Sequence, residues 1–201
     1  MTNEHYFSPQ PSSSSQPYLI RVPLPDATLQ LTTDRGVFSY GALDTGTRLL
    51  LLRAPLPPAS GNLLDLGCGV GAIAITLAMR SPAATVWAVD VNERAVALCR
   101  QNAEANGVTN VRVCMPSELP ADIRFDTIWS NPPIHIGKTA LHELLVQWLS
   151  RLVPEGRAIM VVQKHLGSDS LQAWLTEHEY PTQRLASAKG FRLLSVTRAH
   201  N

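Results

Sequence analysis

Three glycines at alternate positions, Gly67, Gly69 and Gly71, lie in the stretch LLDLGCGVGA. An apolar run that reads as a buried strand precedes them, and a second run, AIAITLAMR, that reads as a helix follows. At such a junction the backbone must turn sharply and leave its main chain open to close approach, which residues lacking a Cβ permit. Few arrangements other than a strand–turn–helix unit of an α/β sheet place glycines this way, so the loop constrains everything around it.

The pattern around the loop alternates accordingly. NLLDLG, TVWAVDV, VRVCM, FDTIWS and RAIMVVQ read as strands, while AIAITLAMR, ERAVALCRQNAEANG and ALHELLVQWLSRL read as helices between them, the second stopping at Asn106-Gly107. Strands that alternate with helices predict a parallel sheet covered on both faces. After a further helix, SLQAWLTEH, which starts at Asp169-Ser170, the pieces QRLASA and FRLLSVT around Lys189-Gly190 predict a hairpin. The expected fold is therefore α/β, a doubly wound, mostly parallel sheet with an antiparallel C-terminal hairpin.

Upstream, SPQPSSSSQP is too polar to offset its ordering entropy, so residues 1–17 are expected to form a flexible N-terminal arm and 18–201 a single domain. YLIRV and ATLQLTT read as short strands, GVFSYGALDTGT as a loop, and RLLLLRA as a helix stopped by the prolines after Ala54. A chain of 201 residues with 45% apolar side chains can bury one sizeable core. No apolar stretch reaches the roughly 20 residues that span a bilayer, and the N-terminus lacks the order of a signal peptide. A cytoplasmic protein without membrane contact is expected. Cys68, Cys99 and Cys114 have no C-x-x-C spacing and read as core residues, so neither a disulfide framework nor a metal site is expected. Trp148 and Trp174, spaced with leucines on helices, also read as core.

Asp65 precedes the first glycine, and Asp90 closes the next strand at roughly the 20-residue separation of a carboxylate that holds ribose hydroxyls. An acid in front of the loop is a poor neighbour for a pyrophosphate but suits a ligand carrying an ammonium group and a sulfonium. With D-x-G-x-G-x-G and Asp90, the segment resembles the class I S-adenosylmethionine-dependent methyltransferases. That resemblance implies a Rossmann-like seven-stranded sheet and S-adenosylmethionine as cofactor. It packs the Gly67, Gly69 and Gly71 backbone on the amino-acid end of the cofactor, with Asp65 supporting that end, Asp90 accepting the ribose hydroxyls and Val91 beside it.

FDTIW ends in SNPPIHIGK, residues 130 to 138. Two consecutive prolines can neither donate to a sheet nor continue a helix. Within the resemblance, Asn131, Pro132 and Pro133 form a rigid clamp beside the cofactor's methyl group. The Asn131 side-chain oxygen and the Pro132 carbonyl would accept both N–H groups of a conjugated exocyclic amine, aiming its lone pair without an entropy cost at the moment of reaction. The place often held by Tyr or Phe after the prolines is occupied by Ile134, and Phe38 is the candidate ring to replace it.

FSYGALDTGTRLLL, NPPIHIGK and KGFRLL together resemble the small methyltransferase domain of ribosomal small-subunit RNA guanine-N2 methyltransferases, in a single-domain form, over roughly His5 to Val196. This implies methylation of an exocyclic amine of a nucleobase, most specifically guanine N2 in 16S ribosomal RNA. It places Phe38, Ser39, Asp44, Ile134, His135 and Lys138 at the substrate pocket. VCMPSELP lacks the acid often found after the third strand, which leaves main chain or Ser117 to meet the adenine. Adenine N6, a protein glutamine, or a non-catalytic cofactor-binding module of an RNA-modifying complex remain alternatives. RNA is the expected partner, and monomer or homodimer is left open. A net charge of +1 means RNA contact must rest on a local patch, with Arg48, Arg53, Lys138, Lys164, His165, Lys189 and Arg192 as candidates.

Overall fold

The computed structural model describes residues 13–199. Two strands, β1 (Tyr18–Pro23) and β2 (Thr28–Thr33), pair antiparallel as a separate hairpin. Helix α1 (Thr45–Arg53) follows, and then the alternation begins with β3 (Ser60–Leu66), α2 (Ala72–Arg80), β4 (Ala83–Val89), α3 (Glu93–Ala105) and β5 (Val111–Cys114). It continues through β6 (Phe125–Ser130), α4 (Lys138–Leu149), β7 (Leu152–Gln163), α5 (Ser168–Glu177), β8 (Thr182–Ala188) and β9 (Phe191–Thr197). The main sheet has seven strands in the order β5-β4-β3-β6-β7-β9-β8. β5, β4, β3, β6 and β7 run parallel, and β9 lies antiparallel between β7 and β8, which is the expected Rossmann-like architecture.

Alternation along the central strands divides the core into two layers. Leu63, Trp129, Val161 and Leu193 belong to one buried cluster, and Leu64, Ile128, Met160 and Leu194 to the other. Both sheet faces are covered, so the strands read as continuous apolar runs instead of alternating ones. Helix α2 is buried from Ala72 to Ala78 because β2 and α1 pack outside it. The free edge of β2 is not left open: Asn102 and Asn106, one turn apart on α3, each accept from one β2 amide and donate to the same residue's carbonyl, at Thr32 (2.8 and 2.9 Å) and Gln30 (3.0 and 2.7 Å). These side-chain amides stand in for a neighbouring strand.

Four local expectations differ from the structure. The α4 helix ends at Leu149, not Leu152, because Leu152 pairs with Phe125 at the start of β7. The Arg151 guanidinium fixes the reversal by donating to the Ile123 and Pro120 carbonyls. Helix α5 starts after Gly167, whose φ is +98°, and Asp169 caps nothing: it pairs with Arg184 at 3.1 Å and with Arg192. Arg192 is buried on β9, so it is a partner of Asp169 and not a surface cation. Trp148 is buried as expected, whereas Trp174 is half-buried and stacks between His142 and His178. Cys68, Cys99 and Cys114 are all buried and unbridged.

Of the expected flexible arm, residues 1–12 lie outside the described residues. Within Ser13 to Pro17, the Ser15 hydroxyl donates to Asp34 at 2.6 Å, the Gln16 amide donates to the same carboxylate, and the Ser13 carbonyl accepts from Arg94 at 2.9 Å. Among the described residues no helix is long and apolar enough to cross a membrane.

Candidate active site

In the sheet order, the chain steps outward from β3 to β4 on one side and to β6 on the other. A crevice opens beyond the carboxyl ends of strands at such a switch point. Here it holds a cavity of about 450 Å³, bordered on one side by Leu66, Gly67, Gly69, Val89, Asp90 and Val91. On the other side stand Asp44, Asn131, Pro132, Pro133, Gln163 and Phe191. The glycine loop and the Asn-Pro-Pro turn, far apart in sequence, therefore face one space.

The glycine loop is held from behind. The amides of Gly67 and Cys68 both donate to the Val89 carbonyl, at 2.8 and 3.0 Å, and the Gly69 amide donates to the Asp90 carboxylate at 2.8 Å. Gly71 has a φ of +88°, and a Cβ there would lie 2.7 Å from the Cys99 sulfur, so both backbone and space require glycine. At Gly67 and Gly69 a Cβ would meet no atom within 4 Å, and both residues border the cavity, so their main chain is open to a ligand.

Asp65 is fully buried behind this loop and is not among the cavity-lining residues. Its Oδ2 accepts from the Ala74 amide at 2.9 Å. Gly71, the residue that caps α2, has no side-chain oxygen, so Asp65 supplies from β3 the acceptor that a capping side chain would otherwise provide. Its Oδ1 has no hydrogen-bond partner among the described residues. Burial pushes the Asp65 carboxyl up to about 8, opposed by the Ala74 amide and reinforced by the Asp90 charge. Burial also raises Asp90, against the amides of Asn92 and Gly69 that hold its two oxygens at 2.9 and 2.8 Å.

The shift of Asp65 fixes a sign for stability. In the unfolded chain the group titrates near 3.8 and in the native protein near 8. Between these values the native state holds a proton that the unfolded state has lost, so this group makes stability fall as pH rises through that window. Urea unfolding of Asp65→Asn is expected to lack that part of the slope between about pH 5 and about pH 8. Identical slopes in the two proteins would mean that the carboxyl is not held neutral.

Strand β6 is fixed to β3 at its end by the Ser130 hydroxyl, which donates to the Leu66 carbonyl at 2.7 Å. The Asn131 Nδ2 then donates twice, to Asp44 Oδ2 at 2.9 Å and to Thr47 Oγ1 at 3.1 Å. A carboxylate only accepts, so this network sets the amide orientation and leaves Oδ1 as the atom still able to accept. Asp44 is itself held: its carboxylate caps α1 by accepting from the Thr47 amide at 2.9 Å, and its own amide donates to Ser39 Oγ at 3.1 Å. Pro133, at φ −75° and ψ 76°, sits in an inverse γ-turn in which the Ile134 amide donates to the Pro132 carbonyl at 2.9 Å. One lone pair of that carbonyl is thus used and one remains.

Phe38, Ile134 and His135 border the cavity, with Phe38 43% exposed at its rim. Ser39 is half-buried behind Asp44, while Lys138 is exposed at the start of α4; neither lines the cavity. Ser117 is exposed, and its neighbour Pro116 lines the cavity instead. Thr47, Ser130, Gln163 and Phe191 were not found by reading the sequence. Thr47, Ser130 and Phe191 stand in the quoted stretches FSYGALDTGTRLLL, SNPPIHIGK and KGFRLL, whereas Gln163 carried no local signal.

Asp44→Ala should remove the α1 cap at a cost of about 0.5–2 kcal/mol in folding free energy, and Asp44→Asn much less. Denaturant unfolding of both variants checks this. A cost equal in the two would place the stabilisation elsewhere.

Comparison with known proteins agrees with this arrangement. Residues 28–195 match the family described as methyltransferase small domain. The uncharacterized protein YbxB of Bacillus subtilis (strain 168) is 36% identical over 199 residues, covering 96% of this chain and 98% of that protein. Ribosomal RNA small subunit methyltransferase C of Pseudomonas aeruginosa (strain LESB58) is 35% identical over 89% of this chain, which spans 54% of that enzyme's length. Among solved structures, the Thermus thermophilus 16S rRNA N2 G1207 methyltransferase in complex with AdoMet and guanosine superposes with a TM-score of 0.78, at 26% identity, covering 92% of this chain and 51% of that one. With the glycine loop, Asp90 and the Asn-Pro-Pro turn gathered on one cavity, the chain belongs to the methyltransferase small domain family of S-adenosylmethionine-dependent methyltransferases.

Proposed function

We propose that this protein methylates the N2 amine of a guanine in RNA, with 16S ribosomal RNA as the substrate. The observation that carries the reading is the Asn131 amide, whose nitrogen is committed to Asp44 and Thr47 so that its oxygen is left for an incoming donor at the cavity. Relatives named as ribosomal RNA small subunit methyltransferases support the RNA assignment.

S-adenosylmethionine supplies an electrophilic methyl group on its sulfonium. The residues present fit that cofactor: open glycine backbone, an unpartnered buried carboxylate oxygen on Asp65, and the Asp90 carboxylate at the cavity wall. Gly67 and Gly69 pack on the amino-acid end, Gly71 fixes the turn into α2, and Asp65 braces the loop from behind through the Ala74 amide, its unpaired Oδ1 left to that end. Asp90 takes the ribose hydroxyls, with Val91 and Pro116 against the adenine. Ser117, turned to solvent, leaves the adenine edge to main chain.

A conjugated amine is a poor nucleophile because its lone pair is delocalised. Asn131 Oδ1 and the free lone pair of the Pro132 carbonyl accept its two N–H groups and hold the nitrogen pyramidal. Pro133 fixes the turn that aims both acceptors, so the geometry exists before substrate arrives. After transfer the nitrogen's extra proton passes to water, and no strong base is needed. Ile134 and Phe38 border the base, His135 and Lys138 meet the phosphate backbone outside, and Asp44 with Ser39 acts through Asn131.

The test is methyl transfer from labelled S-adenosylmethionine to small ribosomal subunits, total RNA, DNA and protein, followed by nuclease digestion and nucleoside mass analysis. N2-methylguanosine in small-subunit RNA is expected. Label on adenine N6, on protein, or on nothing would overturn the proposal. Activity on RNA in the cytoplasm and a single catalytic unit over residues 18–201 are parts of the same reading.

A further inference from the structure

The polar side chains bordering the cavity divide into committed and uncommitted groups. Asp44, Asp90 and Asn92 have their side chains engaged by main-chain or Asn131 donors, and the Asn131 nitrogen is spent on Asp44 and Thr47. His135 is exposed at the rim. Gln163 is different: half-buried, it borders the cavity, and its carboxamide makes no hydrogen bond among the described residues.

Gln163 is also placed rigidly. It is the last residue of β7 and stands in register with Phe191, the first residue of β9, and the Lys164 amide after it donates to the Gly190 carbonyl at 2.7 Å. The Phe191 ring borders the same cavity and lies hard against α1: a Cβ on Gly46 would come within 2.8 Å of it. One strand pair therefore presents an aromatic wall and a free amide, side by side, to the cavity that Asn131 also borders.

From this geometry we infer that Gln163 reads the edge of the substrate base while Phe191 supplies the ring on which it stacks. The inference rests on the guanine reading above. In guanine the N2 amine is followed along the same edge by the N1–H donor and the O6 acceptor. A carboxamide has an acceptor and a donor at matching separation, so the Gln163 oxygen takes N1–H and its nitrogen donates to O6. Phe191, and not the rim residue Phe38 expected from the sequence, takes the stacking role that Ile134 cannot fill, since base stacking on an aromatic ring needs no particular edge.

Guanosine and 2-aminopurine riboside separate the two roles. The second keeps the exocyclic amine but has C–H in place of O6 and an N1 without hydrogen. Calorimetric titration of the full chain, with the demethylated cofactor present, should show guanosine bound roughly 10- to 100-fold more tightly. Gln163→Leu should erase that preference while leaving affinity for 2-aminopurine riboside within about threefold, and Phe191→Leu should weaken both nucleosides roughly 10-fold. A wild-type protein without the preference, or a Gln163→Leu variant that retains it, overturns the inference. Methylation assayed alongside separates the two claims. A preference that depends on Gln163 with no guanine methylated defeats the function proposed above and leaves the reading of this pocket standing. Guanine methylation with an unchanged preference in Gln163→Leu defeats the inference alone.

Discussion

Replacing Asn131 by alanine is expected to lower kcat about 100- to 1,000-fold, the loss seen when one preorganised polar group is removed from a reacting centre. Affinity for S-adenosylmethionine should stay nearly unchanged. The amide nitrogen contacts Asp44 and Thr47, and the role proposed for the side chain is toward the substrate amine, not toward the glycine loop. Only interactions stronger in the transition state than in the ground state accelerate chemistry, and the amine gains positive charge as it attacks. A turn residue with no role in the reaction forecasts the reverse: lower stability and full activity per folded molecule. Single-turnover methylation and thermal unfolding of the same variant distinguish these outcomes, and a destabilised but fully active Asn131→Ala protein would reduce the Asn-Pro-Pro stretch to a turn.

The sheet was legible because its determinants are local. Parallel strands covered on both faces show as unbroken apolar runs such as VWAV and AIMVV, and the helices between them carry their own stops. Gly107 at φ +68° ends the α3 segment where Asn-Gly predicted it. The hairpin at Lys189 and Gly190, with φ of +50° and +79°, has the paired left-handed residues that close two antiparallel strands. Boundaries were lost where tertiary contacts decide them, as at Leu152, whose pairing with Phe125 ends a helical pattern that the residues would otherwise extend.

The site was legible on one side and hidden on the other for a related reason. The glycines, Asp65 and Asp90 sit within two consecutive units, so their spacing already describes their meeting. Asn131 announces itself through the prolines beside it. Its partners do not: Asp44 and Thr47 precede it by 87 and 84 residues, and nothing in either segment signals the contact. Asp44 was expected at the substrate pocket; it borders the cavity but spends its carboxylate on α1 and Asn131. Gln163 and Phe191 come together only through the register of β7 on β9.

Asp90 unites the cofactor side, and Asp90→Ala is expected to weaken S-adenosylmethionine binding by about 1.5–3 kcal/mol, the range for hydrogen bonds to a charged group. That corresponds to roughly a 10- to 150-fold rise in Kd. Two effects act together. The ribose hydroxyls lose their acceptor, and the amides of Gly69 and Asn92, which the carboxylate now accepts at 2.8 and 2.9 Å, lose theirs. Asp90→Asn separates them, because its single carbonyl oxygen can keep one amide bound but cannot serve both amides and a hydroxyl pair. Its Kd should fall between those of wild type and alanine. Titration calorimetry at constant pH reads all three proteins, and an alanine variant binding as tightly as wild type would detach Asp90 from the cofactor and leave it as a brace for the loop.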